Sequence, residues 1–351
     1  MPAPATMTPA HIRARVEATT PWREASTGGT AIAAALAVAR GAPAETVDRL
    51  ASARRIIITG AGSSLYISQV ASAAMRTYGP LPAEAAPLSE VLLRPGAVFA
   101  AEQLAHQPVV VVSRSGTTTE ALEVINGARE RGQHTLAITC RPASPMAQLA
   151  DEVLAVPEGD EEAIVMTRSF ASQAALLMRL GARLGDAGFA HDLDALPSHW
   201  AETEPFVARA FELAATSPSR VVVLGGGAAF GLASEAVLKM TETSQVPASA
   251  FHPLEFRHGP MSVCEPGMLV VGILGGEPED AERRVIEESA ALGATTWTLG
   301  PDGPAADLGH IARLPLALYA LQALAFGIAV VRGHDPEEPR HLDQVVVLDD
   351  E

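Results

Sequence analysis

The sequence has few cysteines, a shortage of basic residues and no long, strongly apolar run. Its 351 residues include only two cysteines, Cys140 and Cys264, far apart and outside any Cys/His spacing pattern. A disulfide scaffold and a structural zinc site are both disfavoured, and a reducing cytoplasm is the expected compartment. Lys and Arg total 25 against 41 Asp and Glu, a formal charge of −16. This negative charge argues against nucleic acids and anionic membranes as partners, since both are polyanions.

Neither the N-terminus nor the longest uncharged run predicts membrane targeting. The first residues contain no basic segment followed by an apolar one, so no secretory signal is expected. The uncharged run Leu314–Val331 contains Pro315, Gln322 and Gly327, whereas a bilayer span needs about 20 strongly apolar residues. The run is therefore predicted to be a buried helix.

Short β-rich runs alternate with longer helical stretches, a pattern typical of parallel sheets covered by helices. Strands are predicted at 55–59, 108–112, 134–139, 152–156, 220–224, 268–274, 294–299 and, in the tail, 345–348. Helices are predicted at 64–78, 118–131, 232–243 and 277–292. The sequence therefore predicts an α/β protein.

The two halves of the chain resemble each other. RIIITGAGSS, from residue 55, and RVVVLGGGAAF, from residue 220, share an apolar strand, a Gly-x-Gly turn and small residues opening a helix. The offset of 165 residues is far longer than a solenoid repeat, so it indicates a tandem domain duplication. We expect a helical segment at 1–34, a first domain at 35–185, a linker around 186–204, a second domain at 205–334 and a tail at 335–351.

A hydroxyl-rich loop follows the predicted strand 108–112 and leads into a helix. It reads SRSGTTT from residue 113, which gives five hydroxyls in seven residues. Ligands of parallel sheets bind beyond the carboxyl ends of the strands, and hydroxyls beside a helix N-terminus suit a phosphate dianion. Capping explains one such hydroxyl, but five favour an anion site.

The glycine-rich turn at Gly60 is a weaker signal. Leu65 stands where a dinucleotide-binding fingerprint has its third glycine, so a nicotinamide dinucleotide site is disfavoured. Ser63 is expected instead to join the hydroxyl loop from the neighbouring strand. The equivalent turn of the second half, from Gly225, has no hydroxyls. Only the first copy is therefore equipped to bind phosphate.

The second copy carries groups suited to proton transfer. Glu235, Lys239 and Glu242 lie on one predicted helix, and His258 follows in the segment EFRHGP. The simplest interpretation is that Lys239 and Glu242 form a solvated ion pair and that His258 is a structural histidine. Taken together with a phosphate site, these residues suggest catalysis on a sugar phosphate. Moving a proton between adjacent sugar carbons needs a carboxylate, and opening the sugar ring suits imidazole.

The order SRSGTTTE, LKMTE and EFRHGP, within two Gly-x-Gly units, resembles the tandem SIS (sugar isomerase) proteins. The similarity is to the isomerase half of glucosamine-6-phosphate synthase and the related deaminases, over roughly residues 40–345. It includes the 16-residue spacing from Glu242 to His258. The resemblance implies two tandem SIS domains, each a parallel sheet flanked by helices on both faces.

The resemblance also implies which residues bind the phosphate of the substrate. Ser113, Ser115 and Thr118 match the family's phosphate-binding hydroxyls, and Ser63 matches a threonine that assists them. In the tail, Gln344 stands where the family has a lysine that forms a Schiff base with the keto sugar. An amide forms no imine, so the covalent step is either dispensable or replaced.

For catalysis, the resemblance implies roles for three residues of the second copy. Glu242 matches the base that moves the proton between C1 and C2, and Lys239 matches a lysine near the substrate. His258 matches the ring-opening histidine, which in this family reaches across from the partner subunit of a homodimer. No metal or organic cofactor is expected, because the amine or carbonyl already acidifies the transferred proton.

Two further departures from the family affect the expected reaction. The glutaminase domain of the synthase is not found, so glutamine-fed synthesis is not expected. Met166 stands where the synthase has a serine at the sugar, which suggests a different epimer or a larger N-substituent. We expect an isomerising deaminase acting on glucosamine 6-phosphate. The alternatives are a fructosamine-phosphate deglycase and a non-catalytic sugar-phosphate sensor.

Overall fold

The computed structural model describes residues 7–100, 102–275 and 279–343, and the chain divides into two compact units. The first unit consists mainly of Gly28–Glu161 and Arg168–Pro197. The second consists mainly of Ser198–Leu342, with the N-terminal helices up to Thr27 and the segment Glu162–Thr167. The predicted strand at 345–348 lies outside the described residues.

The first unit is built on a five-stranded parallel sheet of order β2-β1-β3-β4-β5. The central strands consist largely of isoleucine and valine, and their residues are buried, as expected where helices cover a parallel sheet. The strands are β1 Ile56–Gly60, β2 Ala83–Pro87, β3 Val109–Val112, β4 Thr135–Thr139 and β5 Glu152–Ala155.

A four-stranded parallel sheet of order β7-β6-β8-β9 forms the second unit. Its strands are β6 Arg220–Gly225, β7 Ala248–Phe251, β8 Met268–Ile273 and β9 Thr295–Leu299. This order repeats that of the first four strands of the first sheet. The prediction of two parallel sheets flanked by helices is confirmed.

Helices flank both sheets. Those associated with the first unit are α3 Gly28–Arg40, α4 Ala44–Ala51, α5 Ser63–Tyr78, α6 Leu88–Leu93, α7 Pro95–Val98, α8 Thr119–Glu130, α9 Pro145–Leu149, α10 Arg168–Ala182 and α11 Ala187–Ala195. Those of the second unit are α1 Pro9–Glu17, α2 Thr20–Ser26, α12 Glu204–Ala215, α13 Ala228–Lys239, α14 Pro253–Phe256, α15 Glu279–Ala291 and α16 Leu314–Val331.

The two copies share an unusual backbone conformation at the same position. Gly62, before α5, has φ +54° and ψ −127°, and Gly227, before α13, has φ +55° and ψ −123°. L-residues with a side chain rarely adopt such angles, whereas glycine does so without steric cost. The match lies at the offset of 165 residues read from the sequence, so it supports the predicted duplication.

Among the helices in the described residues, α16 is the one long and apolar enough to cross a membrane. However, 94% of this 18-residue segment is buried inside the protein. It packs against α12, where Gly327 allows the helix to approach Ala214 and Phe211. Trp22 and Trp200 each stack on Tyr319 with ring centroids 4.9 Å apart. The predicted buried helix is therefore a core element of the second unit.

The structure differs from the sequence prediction at three places. The edge strands β2 and β7 were not predicted. The stretch expected as a linker is helical, with α11 followed by a 3₁₀ helix at Leu196–Thr203, and the unit boundary falls within it. The helix predicted at 232–243 begins earlier, at Ala228, and its α-helical part ends at Lys239.

Asp194 on α11 joins three helices of the first unit through ion pairs. Its carboxylate accepts two hydrogen bonds of 3.0 Å from Arg179 and one of 2.7 Å from Arg40. Burial alone would raise the pKa of Asp194, but the hydrogen bonds and charges of the two arginines outweigh it and lower the pKa. At a pH above about 3.9, the pKa of an aspartate in the unfolded chain, the ion pairs therefore stabilise the fold. This contribution is lost as the pH falls through the lower pKa that Asp194 has in the folded protein.

Asp194→Asn is accordingly expected to lower the urea midpoint of unfolding at pH 7. The difference from the wild type should shrink below about pH 4, because the wild-type carboxylate then becomes protonated too. Asp48→Asn, at an exposed position of α4, serves as the control and should change the midpoint little at any pH. An Asp194→Asn effect that stays constant from pH 7 to pH 3 would contradict this assignment.

Candidate active site

The hydroxyl loop, residues 113–118, lies at the carboxyl edge of the first sheet, between β3 and α8. Strand β1 lies between β2 and β3 in the sheet. The chain therefore passes from β1 to its neighbour on one side, β2, and then crosses over to its neighbour on the other side, β3. Open α/β sheets bind ligands at such a reversal. Because β1 and β3 pair in parallel, the Gly62 turn and the hydroxyl loop follow neighbouring strands at the same edge.

Hydrogen bonds within the hydroxyl loop fix its serine side chains. Ser113 Oγ accepts from the N–H of Gly116 at 3.1 Å and lies 3.4 Å from Thr118 Oγ1. Ser115 Oγ accepts from both the N–H and the hydroxyl of Thr117, at 3.3 and 2.9 Å. Because the oxygen of Ser115 is the acceptor in both bonds, neither of them uses its O–H as the donor.

The structure brings four predicted phosphate ligands to one sheet edge. Ser113 and Ser115 are 6% and 5% exposed, and Thr118 is the N-cap residue of α8. Ser63 is the first residue of α5, is 5% exposed, and follows β1. Two helix N-termini and several hydroxyls at one edge form a setting that attracts an anion.

The second unit contains a buried charged cluster on α13. Lys239, the single lysine of the sequence, is 1% exposed. Its Nζ donates to Glu242 Oε2 and lies 3.5 Å from Glu235 Oε1. The side chain of Glu235 is fully buried, whereas that of Glu242 is 16% exposed. The cluster therefore presents one partly accessible carboxylate, held by a buried ammonium group.

Glu242 lies on a π-helical turn, Met240–Ser244, which continues α13. Hydroxyls of this turn bond back to carbonyls one turn earlier: Thr243 to Lys239 at 2.7 Å, and Ser244 to Met240 at 2.6 Å. Arg332, which follows α16, donates to the carbonyl of Ser244 at 3.0 Å. Short π-helical segments occur frequently at functional sites, and the role of Glu242 stays a prediction.

His258 lies in an exposed turn directly after α14, followed by Gly259 at φ +117°. Within the described part of the chain, its imidazole forms no hydrogen bond or ion pair. The structure thus joins Lys239 with Glu242 but does not bond His258 to either. Gln344, the remaining predicted substrate ligand, lies outside the described residues.

The segment carrying Met166 is tied to the N-terminal helices. The carboxylate of Glu24 on α2, which is 8% exposed, accepts from the N–H groups of Glu162 and Ala163 at 2.7 and 3.0 Å. Sequence reasoning did not identify Glu24, because its partners lie more than 130 residues away. Glu235 was named from the sequence, where it lies four residues before Lys239 on the same predicted helix.

The chain matches the model of the SIS domain family over residues 49–183 and 216–301, which is more than half of its length. The first matched segment contains β1 to β5, and the second contains β6 to β9. Each match therefore covers one parallel sheet.

Among curated relatives are glutamine–fructose-6-phosphate aminotransferases (isomerizing). The protein from Symbiobacterium thermophilum is 30% identical over 270 residues, which cover 70% of this chain and 44% of the relative. That from Aeropyrum pernix is 29% identical over 334 residues, which cover 86% and 52%. This chain spans about half the length of the curated relatives it matches.

Solved structures agree with this relationship. Glucosamine-6-phosphate deaminase from Thermotoga maritima superposes with a TM-score of 0.79 at 25% identity, covering 94% of this chain and all of that one. The C-terminal domain of glucosamine-fructose-6-phosphate aminotransferase from Francisella tularensis superposes with a TM-score of 0.80 at 18% identity, covering 92% and 98%. From its two matched segments and its two sheets, the chain belongs to the SIS domain family.

Proposed function

We propose that the chain is an isomerising enzyme acting on an amino-sugar 6-phosphate, converting glucosamine 6-phosphate and water to fructose 6-phosphate and ammonia. The observation that carries this proposal is the position of Glu242 on a π-helical turn. Its partly exposed carboxylate is hydrogen-bonded to the buried Lys239. A sensor needs no such group, because binding alone requires no proton transfer. The names of the relatives and of the similar solved structures support the same chemistry.

Binding of the phosphate is assigned to the hydroxyl loop and Ser63. The serine hydroxyls donate to phosphate oxygens, and the N-termini of α5 and α8 add favourable dipoles. This arrangement binds an anion without a basic side chain as ligand. It therefore fits an acidic protein with few cationic residues.

In the proposed reaction, His258 opens the sugar ring by proton transfer at the ring oxygen, which gives the free aldehyde. Glu242 removes the proton from C2 and returns it to C1, so that an enamine intermediate becomes the C2 imine of the ketose. Water adds to this imine and releases ammonia. The hydrogen bond from Lys239 Nζ to Glu242 Oε2 fixes the position of the carboxylate that acts as the base.

We further propose a homodimer in which His258 of each chain completes the site of the other. The exposed position of this residue after α14 supports the proposal. Leu254 on the same short helix is 45% exposed, which is unusual for a large apolar side chain in this protein.

A fructosamine-6-phosphate deglycase is the second candidate. Here the proton moves from C1 to C2 of an N-substituted ketose, and hydrolysis releases an amine and the aldose phosphate. The replacement of the family's tail lysine by Gln344, which cannot form an imine with the sugar, favours this candidate. Met166, which stands where the synthase has a serine at the sugar, is a second difference that fits a larger N-substituent.

The deciding experiment offers the protein glucosamine 6-phosphate, its epimers and a set of fructosamine 6-phosphates, and measures released ammonia or amine. Ammonia from an aldosamine phosphate supports the deaminase, and amine from a ketosamine phosphate supports the deglycase. Saturable binding by calorimetry without any turnover would reject both and leave a sensor.

Lys239 provides a separate prediction about the mechanism. A protein–sugar imine at a lysine could form only there, since these 351 residues contain no other lysine. Its Nζ already lies within ion-pair distance of two carboxylates, those of Glu235 and Glu242, which compete with a sugar carbonyl for it. Borohydride added during turnover is therefore expected to leave the Lys239 peptide unmodified in mass spectrometry. A reduced sugar adduct on that peptide would establish covalent catalysis instead.

A further inference from the structure

Arg114 occupies the centre of the hydroxyl loop, between Ser113 and Ser115. An arginine beside phosphate-binding hydroxyls would ordinarily be assigned as a phosphate ligand, because its planar guanidinium matches phosphate oxygens. In this structure, however, Arg114 is 5% exposed, and its Nη1 lies 3.8 Å from Oε1 of Glu161, whose side chain is fully buried. We propose that Arg114 is a positioning residue that holds the hydroxyl loop and does not bind phosphate. This inference rests on the proposed phosphate-binding role of the loop.

The main chain of Arg114 is fixed as firmly as its side chain. Its carbonyl accepts hydrogen bonds from the N–H of Cys140 and the hydroxyl of Thr139, both at 3.0 Å. These residues stand at the end of β4, the strand next to β3. The backbone of Arg114 is thus attached to the sheet, while its guanidinium extends into the interior of the first unit.

Glu161 is itself anchored. Ser169, buried near the start of α10, donates its hydroxyl to Glu161. The preceding residue, Asp160, bonds Arg141 at 2.9 Å through its carboxylate and Arg168 at 2.9 Å through its carbonyl. The Arg114–Glu161 pair therefore connects the hydroxyl loop, through Ser169, to the largely buried helix α10.

This pairing decides what Arg114 can contribute. The charge of Glu161 compensates that of the guanidinium, so the pair adds little net attraction for a phosphate dianion. Removing one partner of a buried pair leaves the other charge uncompensated, whereas replacing both with apolar side chains of similar size is far better tolerated. Because Arg114 is flanked by Ser113 and Ser115, any displacement of it shifts two proposed ligands together.

A double-mutant cycle tests the proposal, with Arg114→Met, Glu161→Met and the double variant compared for inorganic phosphate affinity by calorimetry and for KM and kcat. We expect each single variant to weaken phosphate binding at least 10-fold and to raise KM by a similar factor, with kcat changed less than 3-fold. The double variant should recover most of this loss. Should a Met variant not fold, Arg114→Gln and Glu161→Gln make the same comparison, because each single variant again leaves one charge unpaired and the double variant removes both.

The opposite assignment gives results of opposite sign. If Arg114 binds phosphate directly, removing Glu161 frees its charge and tightens phosphate binding, and the double variant is no better than Arg114→Met. Either result overturns the proposal. Ser115→Ala tests the underlying site separately. Wild-type protein that binds phosphate no better than Ser115→Ala would reject the loop as a phosphate site, and the role of Arg114 with it.

Discussion

Glu242→Gln is expected to lower kcat by about 100- to 10,000-fold, the range typical of losing a general base. KM should change little, because the phosphate ligands assigned to the hydroxyl loop are untouched. The amide keeps the size of the carboxylate but cannot accept the transferred proton. Lys239 retains Glu235 at 3.5 Å as a partner, so the variant should fold.

The matched control is Glu212→Gln, at an exposed glutamate of α12 in the same unit. It removes one negative charge as well, and its kcat should stay within a factor of two of the wild type. Thermal unfolding of both variants checks that a loss of rate is not a loss of fold. A Glu242→Gln enzyme retaining more than a tenth of the wild-type kcat would remove Glu242 from the proposed mechanism.

The sheet interiors were predictable because their strands consist of β-branched residues. Runs such as those of β1 and β3 are buried on both faces and stand out in the sequence. The edge strands β2, AEAAP, and β7, ASAF, have little intrinsic preference for extended structure. They form because they pair with the backbone of β1 and β6. The sequences of β2 and β7 alone do not show this pairing.

The candidate site was predictable only where its parts are local. The hydroxyl loop and the spacing of Lys239 and Glu242 are visible in short stretches of sequence. The π-helical turn is not, because the sequence predicts an ordinary helix at 232–243, which includes Glu242. The turn also accepts a hydrogen bond from Arg332, which lies 88 residues after the carbonyl it binds. The pairing of Arg114 with Glu161 likewise depends on the fold.

Gly116→Ala is expected to have the second large effect, on phosphate binding. Gly116 has φ +63°, and a Cβ there would collide with the side chain of Ser144. Its N–H donates to Ser113 Oγ, and its carbonyl accepts from Met146 at 3.0 Å. A methyl group must therefore displace the loop and misplace its hydroxyls. Losing two hydrogen bonds to a charged phosphate raises KM by about 100-fold.

Gly132→Ala separates this collision from backbone strain alone. Gly132 has φ +71°, and no atom lies within 4 Å of the position that its Cβ would occupy. Both substitutions carry the cost of a left-handed conformation, about 1–2 kcal/mol, so both should lower the unfolding temperature. Only Gly116→Ala should also weaken phosphate binding, measured by calorimetry with inorganic phosphate. Equal losses of phosphate affinity in both variants would mean that general destabilisation, and not the geometry of the hydroxyl loop, limits binding.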